Sequence, residues 1–214
     1  YDENRKQIYY SSSEEGATEQ NVYSVNISGT GQKRLSPQDG HNDAEFSTGY
    51  AYYMIYHSDA NTPYDIKLYS QLEELGGKLP NNFIQTLYSD KKGRLWIGTG
   101  GGGLGLYQEK SDDFQFFTKA EGLPSNTIFS IEEDESNLLW VSSSRGLFNF
   151  HTDSHIIKVF DIKDGLQDLS FSKSASITLS NGEMLFGGVS GFNTFFPSKI
   201  KDNPALPKLY FTDL

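Results

Sequence analysis

The sequence has no cysteine among its 214 residues, which excludes disulfides and thiolate metal sites and leaves the fold to be held by packing alone. Cations are scarce as well: 18 Lys and Arg against 28 Asp and Glu give a formal net charge of −10. A grip on phosphates needs clustered cations, so neither direct nucleic-acid binding nor contact with an anionic membrane is expected. Apolar runs are short, none approaching the roughly 18 to 20 residues that cross a bilayer. The opening stretch, YDENRKQIYY, also lacks the apolar core of a signal peptide. The chain reads as soluble, and is compatible with a piece of an exported or membrane-anchored protein.

What the sequence does have is aromatic residues and glycine: 13 Tyr, 15 Phe and 21 Gly. That mixture favours strands and tight turns over helices. Internal repetition sharpens the expectation. Pro80 and Pro124, Asn82 and Asn126, Ile84 and Ile128, and Trp96 and Trp140 are all 44 residues apart. A weaker third copy runs from Asp164, with Gly165-Leu166 echoing Gly122-Leu123 and Leu185-Phe186-Gly187-Gly188 standing near where Trp96-Ile97-Gly98-Thr99 stood. Each unit alternates apolar and polar residues over short segments separated by polar turns. A period of this length with four strands is the size of one β-propeller blade. The predicted fold is therefore all-β, with blades of four antiparallel strands, about five of them, or a fragment of a larger propeller.

The stretch KKGRLWIGTGGGGLGLYQ, residues 91–108, packs five glycines into six positions. A phosphate-binding loop would end in Gly-Lys-Ser/Thr and open a helix. Leu104-Gly105-Leu106-Tyr107 supplies neither, so these glycines are assigned to a crowded hairpin after the second strand of a blade.

Leu79-Pro80-Asn82, Leu95-Trp96-Ile97-Gly98-Thr99, Glu121-Gly122-Leu123-Pro124-Ser125-Asn126 and Leu139-Trp140-Val141 resemble the two-component regulator propeller repeat, over roughly residues 79–214. The second unit departs from the pattern at Ser142-Ser143-Ser144-Arg145, and the third has lost the tryptophan. The resemblance implies the periplasmic part of an inner-membrane hybrid histidine kinase. Such a sensor would take a small-molecule or oligosaccharide ligand, often a glycan breakdown product, and signal through a homodimer. It also implies that the final segment, with Pro197, Pro204 and Pro207, is an extended exit strand toward a β-sandwich.

Residues 1–72 use another dialect. Ile8-Tyr9-Tyr10-Ser11, Val22-Tyr23-Ser24-Val25, Lys33-Arg34-Leu35, Phe46-Ser47 and Ser58-Asp59-Ala60-Asn61-Thr62-Pro63 are similar to the propeller of dipeptidyl peptidase IV-like serine peptidases. Three divisions are expected: residues 1–75 as peptidase-like blades, 76–196 as regulator-type blades, and 197–214 as the exit strand. A natural mosaic, an assembled chimera and one divergent propeller all fit the change of dialect near residues 70–82. The alternative functions are the non-catalytic propeller of such a peptidase, or an artificial propeller without native activity.

No catalytic constellation emerges, and no cofactor or metal is expected. Gly188-Val189-Ser190-Gly191-Phe192 is the nearest approach to a nucleophile elbow, but it lacks the last glycine and a following His. His151, Asp153 and His155 would share one face of a strand and could hold a metal; Thr-Asp-Ser equally spells a hairpin turn. The acidic run Glu132–Glu135 reads as a solvated turn, and Trp96 and Trp140 as packing between blades rather than sugar platforms. Asn82, Asn126 and Arg145 are the candidate ligand contacts. The two asparagines open successive inner strands at one rim, and Arg145 puts a long cation where the other unit has glycine.

Overall fold

The structure, a computed structural model, describes residues 1–70, 73–75 and 83–200. Five antiparallel meanders follow one another along the chain. Blade 1 contains β1 (Gln7–Ser12), β2 (Asn21–Asn26) and β3 (Lys33–Arg34), and blade 2 contains β4 (His41–Phe46), β5 (Tyr52–Ser58) and β6 (Asp65–Ser70). Blade 3 runs through β7 (Ile84–Ser89), β8 (Leu95–Thr99), β9 (Leu104–Gln108) and β10 (Asp113–Phe117). Blade 4 repeats it with β11 (Ile128–Glu133), β12 (Leu138–Ser143), β13 (Gly146–His151) and β14 (Ile157–Phe160). Blade 5 contains β15 (Phe171–Thr178), β16 (Met184–Gly188) and β17 (Gly191–Phe195). Among the described residues there is no α-helix, and only blades 3 and 4 have the expected four strands; the other three have three. Pro197 opens a 3-10 turn, Pro197–Lys199, while Pro204 and Pro207 lie outside the described residues.

The core is a series of four wedges between successive blades. Strand alternation builds them, because neighbouring residues point to opposite faces. In β8, Trp96 faces blade 4 and packs with Phe117, Ile131, Val141 and Phe150, while Leu95 and Ile97 face back toward Met54 and Leu68 of blade 2. In β12, Trp140 faces blade 5 with Phe171, Met184 and Phe186, and Leu139 and Val141 face back. Both indoles are essentially inaccessible, at 0% and 1% exposed. The expectation that they fill matching inter-blade wedges is met. Tyr52, Met54, Ile66 and Leu68 share a wedge with Ile84, Leu87, Leu95 and Ile97, so the two sequence dialects pack directly against each other.

Each indole also carries a polar anchor. Trp96 Nε1 donates to Asp90 Oδ2 at 2.9 Å, and Trp140 Nε1 donates to Asp134 Oδ2 at 2.9 Å. The other oxygen of Asp90 accepts the amides of Lys92 and Arg94, and that of Asp134 accepts those of Ser136 and Leu138. The solvated-turn reading of Glu132–Glu135 is thereby corrected. Asp134 and Glu133 are buried, and Glu132 accepts hydroxyls of Ser176 and Thr178 from blade 5. The burial has a physical reason: an indole N–H taken out of water needs an acceptor.

The connectors between blades repeat as well. Thr118 and Glu121 form a capping box around the turn Lys119–Glu121, which ends at Gly122 in the left-handed region. Asp161, Asp164 and Gly165 do the same around Ile162–Asp164. Reciprocal caps satisfy the loose amides at these turns and fix the direction in which the chain enters the next blade.

Candidate functional site

The segments leading into β11 and β15 meet the turns after β8, β12 and β16 at one rim of the fan. Gly101 and Gly103 donate their amides to the Asn126 carbonyl at 3.1 and 2.9 Å, and Gly146 donates to Leu169 at 2.6 Å. Within blades, Gly100 bonds Phe83, Ser144 bonds Thr127, and Val189 bonds Ser170. Each turn is thus stitched to the start of its own blade, and those of blades 3 and 4 also to the start of the next. These bonds satisfy backbone groups that an irregular loop would otherwise leave unpaired.

The glycine run has its explanation here. Gly103 sits at φ +93° with its missing Cβ directed against the Phe117 carbonyl, and Gly146 of blade 4 sits at φ +98° with the Phe160 carbonyl 2.6 Å from the corresponding point. A side chain at either position would strain the backbone and collide with the outer strand. The loop is a close-packed turn that cradles its neighbour's backbone.

Asn126 is half-buried within the stitch. Its Oδ1 accepts the Lys119 amide at 2.8 Å while its carbonyl takes the two glycine amides. Arg145 lies at the tip of the turn after β12, its side chain exposed and, among the described residues, without an ion pair; its own amide donates to Ser143 Oγ at 3.1 Å. Asn82 lies outside the described residues. The rim also holds Asp168, whose carboxylate is kept below its ordinary range by the Ser170 amide, then the Ser190 hydroxyl and the Leu169 amide.

Gly188-Val189-Ser190-Gly191 is a hairpin turn between β16 and β17 rather than a strand-to-helix elbow. Ser190 Oγ donates to Asp168 at 3.1 Å and the Ser190 amide to Gln167 Oε1 at 2.8 Å, so the serine meets the carboxylate directly, without the histidine that relays the proton in a Ser-His-Asp triad. His151, Asp153 and His155 form a turn, as the hairpin reading had it. The His151 ring Nδ1 accepts the amides of Asp153 and Ser154. His155 packs on the rings of Phe117 and Phe150, and Asp153 pairs with Lys92 at 2.8 Å.

Two family models match, on different parts of the chain. Residues 78–101 and 122–145 match the two component regulator propeller, at the two units that repeat the Trp wedge and the rim stitch. Residues 1–64 match the dipeptidyl peptidase IV N-terminal region. The curated protein Histidine kinase P4 of Formosa agariphila is 30% identical over a 183-residue alignment, which covers 63% of this chain and 13% of that protein. The extracellular domain of the hybrid two component system BT3049 from B. thetaiotaomicron superposes with a TM-score of 0.63 at 20% identity, over 89% of this chain and 27% of that one. That of BT4673 from the same organism gives 0.57 at 16% identity, over 86% and 25%. At these identities the solved structures speak for the fold, and the chain spans only a small part of each relative. One solved chain nevertheless accommodates most of the five-blade arrangement. Among the described residues, no helix is long and apolar enough to cross a membrane.

Proposed function

We propose that this chain is a ligand-sensing propeller segment from the periplasmic part of a hybrid two-component histidine kinase, responding to glycan fragments. The observation that carries the reading is the pair of blades built on one 44-residue plan, matched by the regulator propeller model. Similarity to a histidine kinase and to solved extracellular domains of hybrid two component systems supports it. In this reading the segment binds and transmits rather than catalyses. The stitched rim is the recognition surface: Arg145 reaches the ligand, and Asn126 holds the floor of the loops. In the sequence, Asn82 stands 44 residues before Asn126, at the matching place in the repeat.

Signalling follows from differential affinity: a ligand that bridges two rim turns favours one arrangement of neighbouring blades, and of a homodimer, over another. A stitched backbone transmits such a shift because its turns are bonded across the blade boundary. The test is calorimetric titration of the folded chain with a panel of neutral and acidic oligosaccharides, repeated with Arg145→Ala. Saturable binding that Arg145→Ala weakens supports the proposal. Binding that is indifferent to Arg145, or silence across the panel together with an unchanged oligomeric state by light scattering, counts against it.

A further inference from the structure

The inner strand of blade 5 breaks the pattern of its predecessors. In β7 and β11 the register slips by a single residue, Gln85 and Phe129 respectively. In β15 the pairs Phe171–Gly188 and Ser176–Phe186 leave residues 172–175 facing Gly187 alone. Ser174 lies in this larger bulge at φ +54°, a left-handed conformation that costs a non-glycine residue energy and points to a local role. Bulges of this kind re-aim side chains. This one sends Lys173 out of its own blade and into blade 2.

There Lys173 enters a cavity of about 540 Å³ whose walls include Asp43, Glu45, Tyr56 and Tyr64. Its Nζ lies 3.6 Å from Glu45 Oε2 and 5.8 Å from the centre of the Tyr56 ring, inside the roughly 6 Å reach of a cation–π contact. The Tyr56 hydroxyl donates to Glu45 Oε2 at 2.7 Å, which fixes carboxylate and ring together, and Tyr64 stacks on Tyr56 at 5.7 Å. Carboxylate, aromatic face and a second ring are the components that hold an alkylammonium group. Two carboxylates against one lysine leave the cavity acidic, so an anionic ligand is disfavoured.

We propose that this cavity is a binding site for a ligand bearing an ammonium group, and that Lys173 is its tethered occupant. Ligand entry exchanges one ammonium for another and frees the β15 bulge from blade 2. The site shares no residue with the rim and stands or falls independently of it. A tethered group competes at an effective concentration on the order of millimolar, so removing it raises apparent affinity by a corresponding factor.

The probe is n-pentylammonium, which has the reach of a lysine side chain, with n-pentanol as its neutral counterpart. Both are titrated into the whole chain while the tyrosine ring resonances are followed by NMR. Lys173→Ala, and Lys173→Met as the variant that keeps the alkyl contacts, are expected to bind the probe about tenfold more tightly than the parent. Adding Glu45→Gln to either is expected to reverse that gain, and n-pentanol is expected to leave the Tyr56 and Tyr64 signals unmoved. Affinity unchanged by both Lys173 variants, or indifferent to Glu45→Gln, overturns the proposal. The second outcome would mean attraction of the cation to the chain's net charge alone.

Discussion

The indole of Trp140 and the carboxylate of Asp134, six residues apart, form a buried pair at 2.9 Å, and Trp96 with Asp90 repeats it at the same distance one blade earlier. In both cases the carboxylate joins the hairpin amides to the ring that fills the wedge. One residue therefore fixes the turn and orients the core side chain.

Removing that acceptor should be costly. Asp134→Ala leaves the Trp140 N–H and two turn amides without their partner, and is expected to lower stability by about 2 to 3 kcal/mol in urea unfolding. Trp140→Ala empties the wedge and should cost about 3 to 5 kcal/mol. The double variant should lose less than the sum, because the two residues form one unit. Strict additivity would show that the pair is not coupled.

The turn glycines make a second prediction. Gly103→Ala and Gly146→Ala each force a side chain into a left-handed backbone and against an outer-strand carbonyl. Each should destabilise by about 1 to 3 kcal/mol. Gly182→Ala, also at positive φ but with open space around it, should cost about 1 kcal/mol. Equal losses at the three sites would show that crowding contributes nothing.

Glu133 gives a prediction in pH. Its Oε2 accepts the Lys91 amide at 2.7 Å, and its Oε1 is buried without a partner among the described residues. Burial pushes this carboxyl above its ordinary value of 4.5. The folded-state value lies above the unfolded one, so the charged form is disfavoured in the fold. The cost is absent below the unfolded value and grows as pH rises through the folded value. Glu133→Gln should therefore raise the melting temperature at pH 8 and leave it nearly unchanged at pH 4. A gain that is the same at both values would assign it to something other than ionisation.

Asp153 should respond with the opposite sign. Lys92 holds its carboxyl below the ordinary carboxylate value, so its contribution is present above that value and is lost as pH falls through the folded one. The pair is exposed, so the effect of Asp153→Ala on the melt should be small and should disappear in molar salt. Persistence of the effect at high salt would point to packing instead.

At the rim, Asn126 and Arg145 should separate. Asn126→Ala removes the acceptor of the Lys119 amide and is expected to cost about 1 kcal/mol. Arg145→Ala, at an exposed tip, should change stability by no more than about 0.5 kcal/mol. Chemical denaturation of the two variants checks this before any binding measurement, and a large loss for Arg145→Ala would make it a structural residue.

Much of the fold was legible because propeller blades are local: each strand pairs with the next along the chain, so period, turn residues and alternation carry the architecture. Trp96 and Trp140, spaced by one unit, announced their wedges for the same reason. Asp90 and Asp134 stood at that spacing too, yet as acidic residues in a polar run they resembled any solvated turn. Only the depth to which the indoles are buried made acceptors of them. The rim is legible in part: the sequence marks Asn126 as the opening of an inner strand, but its part in joining two blades depends on where the preceding turn lands.

The repeating strands, the hairpin glycines and the faces on which the large aromatics lie are written in the chain, since all of these follow from neighbours within one unit. Tertiary structure alone decided which blade each face meets, that Asp134 is buried while Glu135 is exposed, and that Lys173 reaches Glu45 and Tyr56. The wedges join strands of different blades, the burial of Asp134 depends on the indole it serves, and the Lys173 contacts span more than a hundred residues from a bulge; no local pattern encodes these placements.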